Sequence, residues 1–426
     1  MPRNALSKVF YLFCFSVVAC YPMASLANGF YIPFYNAAEL GDAFSGGAAI
    51  AQDASTAYTN PAGLTRIDHQ QIVISAIAVD HRIKFNGTAT SPGLGSFTSE
   101  TGESSSNFPG VIPAFYYALP LSNRWVLGFS VVSPYGLGDD YDDTSLTRYY
   151  VTYAQAQSAD IGPEVAYKIT DKLSAGVGLD ALYMRLKAGQ MYRTQPLTVA
   201  DSSIANDSSG WGYGWHAGLL YEFTPQTRVG LSYHSSIVER LEGTSRFYMN
   251  NGPTSTSNNL ESTTHLPPFT TLSVYHDMTP AWAVMATAEY MQWSFVKNDH
   301  EFGIATFAGP ININAPKNFH DTWRFAVGTS YQLTDKWLLR AGTEYDQNPT
   351  NNTDRDPILP SADRYLASIG AHYQVSKNVG LDAGYAHTFF ENQSINNINT
   401  TTGNTINGTS KMSTDTLGLQ VEWNIT

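Results

Sequence analysis

From about Gln70 to its end this chain repeats one unit: a strand-like stretch, followed alternately by a tight turn or a long polar connection. Within the stretches, apolar residues recur at every second position. Leu173, Ala175, Val177, Leu179, Ala181 and Tyr183 share one face, and Ser174, Gly176, Gly178 and Asp180 share the other. Trp323, Phe325, Val327 and Tyr331 oppose Arg324, Ala326, Gly328 and Ser330 in the same way. So do Leu417, Leu419, Val421, Trp423 and Ile425 against Gly418, Gln420, Glu422 and Asn424. A period of two places each set on one side of a sheet. The tight turns are Pro120 to Asn123, Asp171, Thr224 to Gln226, Thr279 with Pro280, Asp335, and Ser376 with Lys377. Between them run polar stretches near 86–107, 134–147, 189–210, 243–265, 297–319, 347–362 and 390–412. Six turns and seven long connections make fourteen antiparallel strands.

Alternating short turns and long loops, with an even strand number, is the pattern of a transmembrane β-barrel. Strands of about 10 to 13 residues are long enough to cross a bilayer at a tilt. No stretch reaches 18 unbroken apolar residues, so helical spans are excluded. Composition agrees with a membrane wall: 26 Tyr, 21 Phe and only 14% charged residues, where about a quarter is usual. A soluble all-β sandwich would not sort its loops by length. It would also leave edge strands open, which hydrocarbon does not tolerate.

Met1 to Ala27 reads as a secretory leader. Arg3 and Lys8 precede the uncharged apolar run Val9 to Ala19, and Ser25-Leu26-Ala27 offers a cleavage site. Val17-Val18-Ala19-Cys20 resembles a lipoprotein box and is a rival cut. Cys14 and Cys20 are the chain's two cysteines, so a chain cut after Ala27 has none, as suits an oxidising compartment. Without Arg3 and Lys8 the chain has 22 basic and 36 acidic residues, a net charge of −14. That argues against nucleic acid as a partner. The expected domains are a signal peptide at 1–27, a plug at 28–69 and the barrel at 70–426.

The plug segment is rich in Gly and Ala. Gly41 to Ala51 (GDAFSGGAAIA), then Asp53-Ala54-Ser55-Thr56-Ala57, then Asn60-Pro61-Ala62-Gly63-Leu64 resemble the hatch signature of the long-chain fatty acid transporter family. That family also includes aromatic hydrocarbon transporters. Gly29-Phe30 at the expected mature start is similar too. The resemblance implies a hydrophobic ligand, long-chain fatty acid or monoaromatic, that meets external loops and then a pocket beside the hatch N-terminus. It leaves through a lateral opening made by an inward kink of the third strand. It implies that Gly29 and Phe30 line the pocket and that Pro134, Tyr135 and Gly136 form the kink. Met191, Tyr192, Phe247, Tyr248 and Met249 match the surface capture loops. Asn60, Pro61, Ala62 and Gly63 either gate transport or only turn the chain into the first strand.

A carboxylate ligand needs a cation in the lumen. Arg324, Arg340 and Arg364 have lumen parity; Arg324 is expected beside Glu344, and Arg340 shows no acidic neighbour across that pair, so Arg340 is the candidate. The family often has arginine after the tyrosine of strand seven, whereas Tyr233 is followed here by His234, which brings neutral substrates into consideration. Gln155 and Gln157 share the outward parity of Ile161, and two glutamines facing lipid call for a bulge or a lateral opening. No nucleophile elbow or metal-spaced cluster is present, so neither an enzyme nor a cofactor is expected. The expected partners are a hydrophobic small molecule and outer-membrane lipid, with the protein a monomer. A polar-solute pore and a surface adhesin are the alternatives from other classes.

Overall fold

The computed structural model describes residues 29–425, apart from 93–96, 195–199, 251 and 253. The expected leader and the rival cut at Cys20 lie outside the described residues. The strands are β1 (Gln70–Pro92), β2 (Phe97–Pro120), β3 (Trp125–Val132, resumed at Gly136–Asp140), β4 (Tyr153–Lys168), β5 (Leu173–Tyr192) and β6 (Ser202–Thr224). Next come β7 (Thr227–His234 and Ile237–Tyr248), β8 (Thr254–Leu266 and Phe269–Thr279), β9 (Trp282–Met291) and β10 (Thr322–Gln332). The last are β11 (Trp337–Asp346), β12 (Arg364–Ser376), β13 (Val379–Phe390) and β14 (Thr405–Ile425). Each pairs antiparallel with its neighbours, and β14 closes on β1 from Gln70↔Ile425 to Thr90↔Thr405. The result is a closed 14-stranded antiparallel β-barrel.

The period-two faces fall as the alternation requires. Leu417, Leu419, Val421 and Trp423 are exposed on the outside, as are Val177, Leu179, Trp323, Phe325 and Val327. Aromatic pairs mark the two rims of this apolar band: Trp125 with Tyr167 and Trp337 with Tyr373 near the short turns, Tyr183 with Trp211 and Tyr290 with Trp323 toward the long loops.

The long connections differ from expectation. Most are not loops but continuations of the ladder: β1 and β2 stay in register up to Pro92↔Phe97, and β5 and β6 up to Tyr192↔Ser202. Above the apolar band both faces of a strand are wet, so hydrogen bonding continues without apolar alternation to announce it. The same fact settles Gln155 and Gln157. They pair with Lys187 and Arg185, four and two residues above the Ala159↔Tyr183 rung of the aromatic rim, where polar side chains meet water. No bulge occurs there.

Residues 29–69 lie inside the ring as short helices at Ala37–Leu40, Gly47–Ile50 and Thr56–Thr59, and a 3-10 turn at Pro61–Arg66. Such short helices leave most backbone groups without internal partners, and side chains of the wall supply them. Arg228 donates to the carbonyls of Ala49 (2.6 Å) and Ile50 (2.7 Å). Gly46 and Ala48 amides donate to Thr287 and Ser273, and the Ala54 amide to Gln71. Close approach is made possible by glycine on the wall: a Cβ at Gly218 would sit 1.9 Å from Asn60 Oδ1, and one at Gly370 2.6 Å from the Gly41 Cα.

Candidate functional site

The site begins at a break in β3. Trp125–Val132 pairs with Asp160–Tyr167 of β4, and the ladder resumes only at Gly136↔Gln157. Pro134 lies in the gap, where it has no N–H to give the ladder. The freed groups are captured from two sides. Ser158 Oγ accepts from the Tyr135 amide (3.0 Å) and donates to the Tyr135 carbonyl (2.6 Å). On the lumen side, Ile32 donates to the Pro134 carbonyl (2.8 Å) and Gly136 donates to the Phe30 carbonyl (2.9 Å). The start of the inner segment is thus a short strand laid against the break.

The break also opens a seam. β2 pairs with β3 only from Phe115↔Val131 to Pro120↔Val126. Above Phe115, β2 keeps its ladder to β1 alone among the described residues. The seam is bridged higher up by Asp140 donating to Ser106 (2.9 Å) and Thr147 donating to Ser104 (3.2 Å).

A cavity of about 390 Å³ lies above the inner segment, within the range of small-molecule sites. Phe30, Leu137, Met184, Leu186, Val296 and Phe319 supply apolar surface. Polar groups enter at its upper side, among them Lys317, whose ammonium is 3.0 Å from Asp356. Trp293 is fully buried, edge-on to Phe30 at 5.2 Å, and stands where a Cβ on Gly29 would be. Trp293, Phe319 and Lys317 belong to an excursion between β9 and β10 that carries its own hairpin, Asn298–Ile304 with Ile311–Pro316. The sequence marks this stretch only as polar, so these residues were not candidates; the aromatic pair flanking a polar hairpin was the available sign.

The structure distributes the other expected residues as follows. Asn60 is fully buried. It caps the 3-10 turn through the Ala62 amide (3.1 Å) and donates to the carbonyls of Ala48 (2.6 Å) and Leu219 (3.1 Å). Pro61, Ala62 and Gly63 are buried in that turn, Pro61 against Gly176 of β5. Tyr192, Phe247 and Met249 pack together with Leu260 and Ile304. Phe247 is fully buried there, so these side chains form a packed cluster rather than an open groove. Tyr248 points to the outer surface by parity and is exposed; Met191 is not part of the cluster.

Arg340 requires a correction. Its guanidinium is buried and bound to Asp382 (2.7 Å) and Gln52 (3.2 Å). Asp382 is two strands away on β13. The intervening β12 position is Gly370, and without a side chain there the arginine reaches across. Arg324 holds Glu344 (2.8 Å), as expected, and also Glu289 (3.0 Å); Arg364 holds Asp346 (2.7 Å). Each of these three arginines is therefore paired with a carboxylate of the wall. Inside the ring, burial pushes the Glu39 carboxyl up to about 7, and Asp42 and Asp53 are also raised by burial.

Comparison with known proteins agrees with this architecture. Residues 17–424 match the family described as outer membrane protein transport protein (OMPP1/FadL/TodX). The long-chain fatty acid transport protein of Salmonella typhi is 28% identical over 408 residues, covering 89% of this chain and 91% of that one. Outer membrane protein P1 of Haemophilus influenzae (strain KW20) is 27% identical over 398 residues, covering 85% and 86%. Among solved structures, a Pseudomonas aeruginosa FadL homologue superposes with a TM-score of 0.83 at 24% identity, covering 93% of this chain and all of that one. The Pseudomonas putida toluene transporter TodX gives 0.73 at 17% identity, over 94% and 99%. The chain belongs to the OMPP1/FadL/TodX family of outer-membrane transport proteins, barrels of the bacterial outer membrane that transport hydrophobic compounds.

Proposed function

We propose that this protein carries long-chain fatty acids passively across the outer membrane, through the cavity above Phe30 and out through the seam between β2 and β3. The observation that carries this reading is the shared hydrogen-bonded unit of Phe30–Ile32 and Pro134–Gly136. Phe30 lines the cavity and Pro134–Gly136 is the break in the wall, so the cavity and the break are coupled through a few hydrogen bonds. In this reading residues 28–69 are the hatch, 70–426 the barrel and 1–27 the exported leader. Tyr192, Phe247 and Met249 brace the external loops on which ligand is first captured. The protein acts as a monomer among outer-membrane lipids and performs no catalysis.

Two relatives named above bear the name of a long-chain fatty acid transporter or outer membrane protein, and both cover most of the chain. Lys317 offers the carboxylate a cation inside the cavity, shared with Asp356. The second reading, monoaromatic hydrocarbons, is favoured by one feature: Arg324, Arg340 and Arg364 are each held by a carboxylate of the wall, and none of these three is left for a ligand carboxylate. Uptake of labelled oleate and of toluene into a host lacking other such barrels separates the two. Oleate uptake that exceeds the empty host and is lost when Phe30–Ile32 is deleted supports the first reading. Toluene uptake alone overturns it.

A further inference from the structure

His216 stands fully buried on the lumen face of β6. Its Nδ1 is 2.6 Å from Asp180 Oδ1, and its Nε2 is 3.2 Å from the carbonyl oxygen of Ala57, in the helix Thr56–Thr59. A carboxylate and a carbonyl both accept, while a neutral imidazole has one N–H to give. Both contacts are hydrogen bonds only when both ring nitrogens carry protons. The surroundings favour that state. Asp180 faces the ring from β5, Asp160 and Glu164 from β4, His234 from β7, and Tyr58 from the inner segment, with Glu239 of β7 interacting with Asp160. Asp160, Glu164 and Glu239 each bring at least one buried carboxylate oxygen with no hydrogen-bond partner. An imidazolium beside the Asp180 carboxylate, with the carboxyl groups of Asp160 and Glu164 also acting on it, is the electrostatically sensible arrangement. A metal ion shared by Asp180, His216 and His234 is not: the two imidazoles stack nearly parallel, 12° apart at 4.9 Å, and both nitrogens of His216 are already engaged.

We propose that His216 is held as the imidazolium and that its second proton latches the inner segment to the wall, making it a positioning residue for transport. When the ring loses a proton, its one remaining N–H stays with the charged acceptor Asp180, which binds more strongly than a neutral carbonyl. The Ala57 carbonyl is then buried without a partner, and the helix Thr56–Thr59 is released at the position just before Asn60. Arg228 and Asn60 still hold the segment on either side, so the proton sets the ease of release rather than forcing it. A rise in pH therefore loosens the latch.

The functional half of this inference rests on the proposed movement of the hatch; the protonation state does not. Both are read on the full-length protein in lipid nanodiscs and planar bilayers. Nitrogen-15 histidine spectra, with His216→Gln identifying the resonance, are expected to show both nitrogens protonated at about pH 6. Steady conductance is expected to rise several-fold between about pH 6 and pH 9 in a Glu39→Gln background, which removes the hatch carboxyl that burial raises to about 7. Adding His216→Gln, which keeps donors but cannot titrate in this range, abolishes the rise. A neutral tautomer at the lower pH overturns the proposal, and so does a pH-dependent rise that survives His216→Gln. Imidazolium without any change in conductance removes the latch. Loss of hydrophobic uptake at every pH, with the spectra as expected, indicts the transport reading instead.

Discussion

The amide of Gly136 donates to the carbonyl of Phe30 at 2.9 Å, joining the interrupted wall strand to the inner segment. A strand that breaks at a proline and the Phe30–Ile32 stretch of the inner segment satisfy each other's backbone groups. The pairing is short: it consists of one isolated bridge, Tyr31↔Tyr135, and its flanking bonds. Few bonds must break for the two to separate, which suits a gate.

Ser158 is the second support of the break. Ser158→Ala removes both bonds to Tyr135 and leaves a buried amide unpaired, a cost of about 1–3 kcal/mol. The expected result is a break that shifts more readily, seen as faster hydrophobic uptake and higher conductance with unchanged barrel assembly. Uptake equal to the parent would show that the pairing with Phe30–Ile32 suffices.

Asn60→Ala removes a cap and two carbonyl contacts at once. Loss of a cap alone costs about 1 kcal/mol. Because the barrel ladder does not pass through Asn60, heat-resistant migration of the folded barrel is expected to be retained. The inner segment should become accessible to protease from the periplasmic side. Failure to assemble would make Asn60 a folding residue instead.

Lys317→Gln should reduce oleate uptake several-fold and leave toluene uptake near the parent level, since only a carboxylate competes with Asp356 for the ammonium. Equal loss of both substrates would show that the Lys317–Asp356 pair shapes the cavity without selecting a headgroup.

Glu39 gives the inner segment its own pH response. Burial raises its carboxyl from 4.5 to about 7. The folded segment thus binds the proton more tightly than the unfolded chain, and the stabilisation from this group is fully present below 4.5 and lost as pH rises through about 7. Proteolysis of the segment should be slower at about pH 5 than at about pH 8. In Glu39→Gln, which mimics the protonated form, this difference should shrink.

Much of the architecture was legible in the chain because lipid imposes a strict rule. Leu417, Leu419, Val421 and Trp423 alternate with Gly418, Gln420 and Glu422 since one side meets hydrocarbon and the other does not. Where that constraint ends, so did legibility: the ladder from Phe85↔Ser104 to Pro92↔Phe97 is rich in Ser, Thr and Gly and reads as a polar loop. The site was harder for a different reason. That Arg340 finds Asp382 depends on the register of two successive strand pairs and on the small residue Gly370 between them. Local alternation reports parity but not which residue stands two strands away. Trp293 was hidden likewise, since nothing nearby in the chain says that it lies over Gly29.

The bare places on the inner wall, Gly218 opposite Asn60 and Gly370 opposite Gly41, bear on how such proteins diverge. A stopper seated in recesses cut to its own outline is not interchangeable with that of a cousin. Grafting residues 28–69 from a relative should succeed only if the facing recesses travel with them, so cylinder and stopper are inherited as one matched part.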